Sequence, residues 1–118
     1  MDRKKELKQQ YKQMKHPMGV FIVRSKSNNK CLLEATNNLR ARFNRILLQL
    51  SANMHPNQEL QKEWNELGKE NFTFEILEEL EYDKDESKTD YSEDLDLLYM
   101  IWEEKLTAQG VEFFRKKI

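Results

Sequence analysis

Two β-rich runs either side of a short polar turn restrict this chain to folds built around an antiparallel hairpin. Residues 18–24, MGVFIVR, are mostly β-branched, aromatic or otherwise apolar and read as a strand. Ser27-Asn28-Asn29 supplies the turn, because asparagine tolerates left-handed backbone. Residues 30–35 form the returning strand. A third run, FTFEIL at 72–77, alternates in the manner of a strand half covered by other elements.

Helical spacing fills the rest. Residues 2–15 hold good helix formers and no Gly or Pro, with Leu7, Tyr11 and Met14 at i, i+4 and i+7. His16-Pro17 ends this segment, since a residue before proline disfavours the α region. Thr36 or Asn37 is the expected cap of a helix whose apolar face is Leu39, Phe43, Ile46, Leu47 and Leu50. Residues 57–67 predict another helix, with Leu60, Trp64 and Leu67 inward and Gly68 as its C-terminal cap. Residues 81–90 form an acidic linker. Ser92 is the expected cap of a long helix to about Thr107 with an inward stripe of Leu95, Leu98 and Trp102, and 111–118 adds a short terminal helix or tail.

The expected fold is therefore α+β: a small three-stranded sheet, the hairpin plus a third strand, flanked by helices and carrying an extra N-terminal helix. Its expected divisions are a helical arm at 1–17, the main domain at 18–107 and a tail at 108–118. A length of 118 residues suits one such domain.

Charge limits the function classes. The net charge is −1, so no overall polycation drives nucleic-acid binding. The distribution is uneven. Residues 1–45 carry 12 Lys/Arg and 3 Asp/Glu, and residues 46–118 carry 8 and 18. The first part suits a phosphate backbone and the second repels it, unless the two neutralise each other in the fold. Cys31 is the sole cysteine, which excludes an internal disulfide, and it reads as a small buried side chain. No Cys/His cluster has zinc-ligand spacing. No secretory signal pattern opens the chain and no apolar run spans a bilayer, so the expected location is cytoplasmic, without a membrane partner.

A set of ordered motifs narrows the reading. Gly19-Val20-Phe21 opens a strand, Asn29-Lys30 sits at the turn, and Thr36-Asn37-Asn38-Leu39-x-x-Arg42 runs from strand to helix. His55-x-Asn57-x-x-Leu60-Gln61-x-x-Trp64-x-x-x-Gly68 and Phe72-x-Phe74-x-Ile76-Leu77-Glu78 follow. Together, across residues 18–105, these resemble the GIY-YIG nuclease superfamily, and the His55 block is similar to the run found in its phage-type homing endonucleases. The resemblance implies a small sheet with an active site on its surface. There, two motif tyrosines orient or deprotonate water, a helical arginine steadies the phosphate and a glutamate holds one divalent metal.

Most of those positions are substituted. Phe21 stands at the first tyrosine and Leu32 at the second, and neither has a hydroxyl. Glu34 replaces the glycine of the second motif, placing a carboxylate where an anionic backbone would pass. Arg42 matches the family arginine. Aligning Trp102 with the aromatic that follows the family glutamate puts Tyr99 at the metal position. A slide of about one turn puts Asp96 there instead. The preferred register leaves no metal carboxylate, with Asp96 in reserve. His55 reads as structural, satisfying backbone groups near Asn57.

Three functional readings follow. The first is a GIY-YIG-like domain without catalysis that binds nucleic acid, through Arg24, Lys26, Lys30, Arg40, Arg42, Arg45 and the N-terminal lysines, or binds a protein. The second is a DNA endonuclease with an altered site, using Arg42 as phosphate clamp, Asp96 as metal ligand, Glu34 in support and Tyr99 as hydroxyl; opposite placement of Asp96 and Arg42 excludes it. The third is self-association through an open sheet edge or the N-terminal stripe. No cofactor is expected, Mg or Mn entering only with the second reading.

Overall fold

A run such as Val20-Phe21-Ile22-Val23 is apolar without alternation, and a strand of that kind needs cover on both faces. A computed structural model, which describes residues 15–114, provides it. The run lies in β1 (Met18–Ser25), the middle strand of a sheet ordered β2-β1-β3, with β2 at Cys31–Thr36 and β3 at Phe72–Leu80. Both pairings are antiparallel. The hairpin turn closes with Asn29 at φ 61°, the left-handed conformation expected of asparagine.

Three helices cover the sheet: α1 (Leu39–Ser51), α2 (Gln58–Leu67) and α3 (Ser92–Ala108). Phe21, Val23 and Leu32 pack on one face with Leu39, Ile46 and Leu50 of α1 and Leu60 and Trp64 of α2. Val20, Ile22, Cys31 and Leu33 pack on the other with Leu98 and Leu106 of α3. Each large apolar side chain so enclosed contributes about 1.5–3 kcal/mol. At the hairpin, Ser25 and Ser27 hydroxyls and the Asn28 amide donate to Glu63 Oε1 at 2.7, 2.9 and 3.1 Å, tying the turn to α2.

Several expectations are corrected in detail. Thr36 stays in the β2 ladder opposite Gly19, so the cap of α1 is Asn38, whose side chain accepts from Ala41 N, and not Thr36 or Asn37. Ser92 is the first helical residue of α3, and Asp90 accepts from its N–H and hydroxyl at 2.9 and 2.6 Å. Leu67 is half exposed, because it lies in the last turn before Gly68 leaves the helix at φ 81°. β3 runs three residues past Leu77 and forms the sheet edge; Phe43 of α1 covers Phe74, but Ile76 is left 46 % exposed. Residues 111–114 are not helical. Cys31 N donates to Glu112 O and Phe114 N to Cys31 O, a short parallel bridge on the outer edge of β2. The expected N-terminal helix and the last four residues lie outside the described residues. No helix among the described residues is long and apolar enough to cross a membrane.

Candidate functional site

The junction between β2 and α1 builds the site. Glu34 lies on β2 and Arg42 in the first turns of α1, and the short connection turns them toward each other. Arg42 Nε donates to Glu34 Oε1 at 2.6 Å and Nη2 to Oε2 at 3.0 Å, a bidentate pair between partly buried side chains. Such a fork is the arrangement by which arginine grips a carboxylate or a phosphate.

The pair sits in the wall of a cavity of about 570 Å³. Leu32, Tyr99 and Asp96 line it as well. Most of the positions singled out by the resemblance therefore converge, and Asp96 and Arg42 share one cavity. Phe21 does not line it. Its ring is fully buried in the main core, edge-on to Phe43 at 4.8 Å. The polar nucleic-acid candidates do not gather there. Arg24 lies 3.3 Å from Glu75, and Lys30 Nζ donates to Glu59 at 2.7 Å. Lys26 lines a separate groove floored by Phe43, Phe72 and Phe74. Arg40 and Arg45 are exposed on α1.

Sequence reasoning undervalued His55. Its structural role is present: Nδ1 accepts from Asn57 N at 3.0 Å, and its own N–H donates to Gln61 Oε1 at 2.9 Å. Yet the ring also lines the cavity, 6 % exposed. With Nδ1 accepting, the neutral ring carries its proton on Nε2, and that buried atom has no partner among the described residues. The signal was the His55-x-Asn57 spacing, which engages one ring nitrogen and leaves the other facing away from the loop.

Burial holds the His55 ring below its usual range, against the opposing pull of the Glu34 carboxylate. The consequence for stability has a definite sign. The unfolded chain takes up this proton near pH 6.5, while the folded chain resists it. Stability from this group is full above that pH and is lost as pH falls from there through the folded-state pKa. Urea unfolding at successive pH values is expected to show stability falling as pH drops below about 6.5, with a slope that steepens from there and stays under about 1.4 kcal/mol per pH unit. His55→Gln removes that component; an unchanged slope contradicts it.

Burial also pushes the Tyr99 phenol up, reinforced by the Glu103 and Glu34 carboxylates, so it stays protonated near neutral pH. The residues present do not fit a divalent cation. Tyr99 offers a neutral phenol where the resemblance implies a glutamate, Glu34 is held by Arg42, and Asp96 is exposed. Among the described residues, no three His, Cys, Asp or Glu side chains gather as a metal site.

No protein-family model and no curated protein matches this sequence. Solved structures do. The catalytic domain of intron endonuclease I-TevI, in a mutant form, superposes with a TM-score of 0.65 at 19% identity, over 86% of this chain and 97% of that one. The catalytic domain of homing endonuclease I-TevI superposes with a TM-score of 0.64 at 20% identity, over 83% of this chain and 98% of that one. The chain has the GIY-YIG nuclease-domain fold.

Proposed function

We propose that this domain keeps the GIY-YIG fold without phosphodiester cleavage and acts as a nucleic-acid-binding module. The observation that carries the reading is the Glu34–Arg42 fork. Phosphoryl chemistry needs positive charge free to stabilise the developing negative charge on phosphorus. Here the matching arginine already donates twice to an internal carboxylate. The loss of both hydroxyls at Phe21 and Leu32, and the protonated phenol of Tyr99, act in the same direction. Likeness to endonuclease domains supports DNA as the partner. Arg40 and Arg45, exposed on α1 and without a carboxylate partner among the described residues, are the phosphate contacts. Binding then weakens steeply from low to moderate salt as counterions are released. A binding curve flat across that range overturns the nucleic-acid half of the proposal.

A second reading, the altered-site endonuclease, is favoured by one observation: Arg42, Glu34, Asp96 and Tyr99 line a single cavity. Supercoiled plasmid incubated with the protein in Mg²⁺ or Mn²⁺ separates the two. The expected result is equal absence of nicking by wild type and Arg42→Ala prepared identically. Nicking by wild type that disappears in Arg42→Ala establishes the second reading and ends the first.

A further inference from the structure

Helix α3 is apolar on two sides. Its inner side, with Leu95, Leu98 and Leu106, is spent on the sheet. Its outer side carries Leu97, Met100 and Ile101, 59 %, 62 % and 40 % exposed, at i, i+3 and i+4. A helix packed on a single core keeps its far side polar, whereas one apolar on both sides has a second contact. Carboxylates bracket this stripe: Glu93 before it and Glu103 and Glu104 after it, while Asp94 is already paired with Lys88 at 2.9 Å. The matching surface is thus an apolar stripe with cations beside it. The α3 of a second copy fails that test, because it brings carboxylates against carboxylates.

Residues 1–14 meet it. They carry five Lys/Arg against two Asp/Glu, with Leu7, Tyr11 and Met14 at helical spacing. The described chain also starts in the right place. The His16 carbonyl accepts from the Tyr82 hydroxyl, and Lys15 Nζ lies 5.4 Å from the centre of the Tyr82 ring. Tyr82 packs edge-on to Tyr91 at 5.3 Å, and Tyr91 immediately precedes α3. Fourteen residues at helical rise reach about 21 Å, against about 25 Å for α3. We propose that residues 1–14 dock along the outer side of α3 of the same chain, with Leu7, Tyr11 and Met14 on Leu97, Met100 and Ile101 and the lysines beside the flanking carboxylates. This stands independently of the reading of the β2–α1 cavity.

The test uses the full chain. A nitroxide is placed at Gln9→Cys, on the side away from Leu7, Tyr11 and Met14 in helical spacing; the native Cys31 is buried and shielded from the label. Amide signals of residues 97–101 are expected to lose more than half their intensity, while those of the turn at 26–29 keep theirs. Met100→Asp in the same labelled chain, at an exposed position, restores the signals with the rest of the spectrum unchanged. Uniform attenuation, attenuation centred on another face, or persistence in Met100→Asp overturns the proposal. Attenuation in a mixture of nitroxide-labelled chains with separate isotope-labelled chains assigns the surface to a second copy and overturns it equally.

Discussion

Gly19→Ala is expected to lower the unfolding free energy by about 3 kcal/mol, and Gly19→Val by more. A Cβ at this position meets the Glu78 carbonyl oxygen at 2.1 Å and the Glu79 Cα at 2.8 Å. Both are backbone atoms of β3, held in register against β1 by the pairs Gly19↔Glu79 and Val20↔Glu78. A flexible side chain could swing aside; this backbone moves only if the ladder opens, at about 0.5–1.5 kcal/mol for each hydrogen bond lost. The strands already shift register between Val20 and Phe21, where Leu77 bulges out of β3, so little slack remains. Valine adds two further carbons to the same space. A domain of this size holds about 5–15 kcal/mol in total, so a loss of about 3 kcal/mol is already a large fraction of it, and valine removes more. Urea unfolding followed by far-UV circular dichroism measures both variants, and a wild-type midpoint for Gly19→Ala refutes the argument. The glycine of the Gly19-Val20-Phe21 motif is thereby assigned to strand packing and not to chemistry.

What the sequence exposes and what it conceals divide along physical lines. The unbroken apolar run of β1, the Asn29 turn and the Gly68 end of α2 each rest on neighbours close in the chain, and each is legible there. Alternation in the run 72–77 marks Phe72, Phe74 and Ile76 as core-type positions, and Ile76 misleads because alternation picks out a face of β3 without showing where the cover from α1 stops. The site is harder. Glu34 stands out in the sequence as a charge that repels phosphate, but its grip on Arg42 depends on how α1 leaves β2, which no periodicity records. The cavity role of His55 depends on Gln61 six residues on, whose side chain bonds the His55 backbone rather than its ring. Phe21 illustrates the converse: the resemblance gives it a catalytic address, while its burial against Phe43 places it in the main core.

These contacts make the His55-x-Asn57-x-x-Leu60-Gln61 block a scaffold for one wall of the cavity. Asn57 caps α2 through Leu60 N and steadies the His55 ring through its own N–H. Gln61 is the element that joins this loop to α1. Any ligand entering beside Arg42 meets a histidine whose ring is steadied by Asn57 N–H and whose backbone is held by that glutamine.

Gln61→Leu is therefore expected to cost about 1–3 kcal/mol and to disturb the cavity as well. Gln61 is 7 % exposed and bonds in three directions: Oε1 accepts from His55 N, and Nε2 donates to Leu50 O at 2.9 Å and to Asn65 Oδ1 at 3.0 Å. Leucine fills the volume but leaves the buried His55 N–H without its partner, at about 1–3 kcal/mol, while the Leu50 carbonyl keeps the bond it accepts from Asn53 N. The extra apolar contact offsets a part of this. Asn65→Ala is the control, since it removes only the exposed arm of the network and is expected to stay within about 0.5 kcal/mol of wild type. Urea unfolding compares the three proteins. In Gln61→Leu the pH dependence assigned to His55 also shrinks, because a loop released from Gln61 no longer holds the ring away from water. Equal midpoints for Gln61→Leu and Asn65→Ala, with the pH slope intact, show that the His55 wall is held by Asn57 alone.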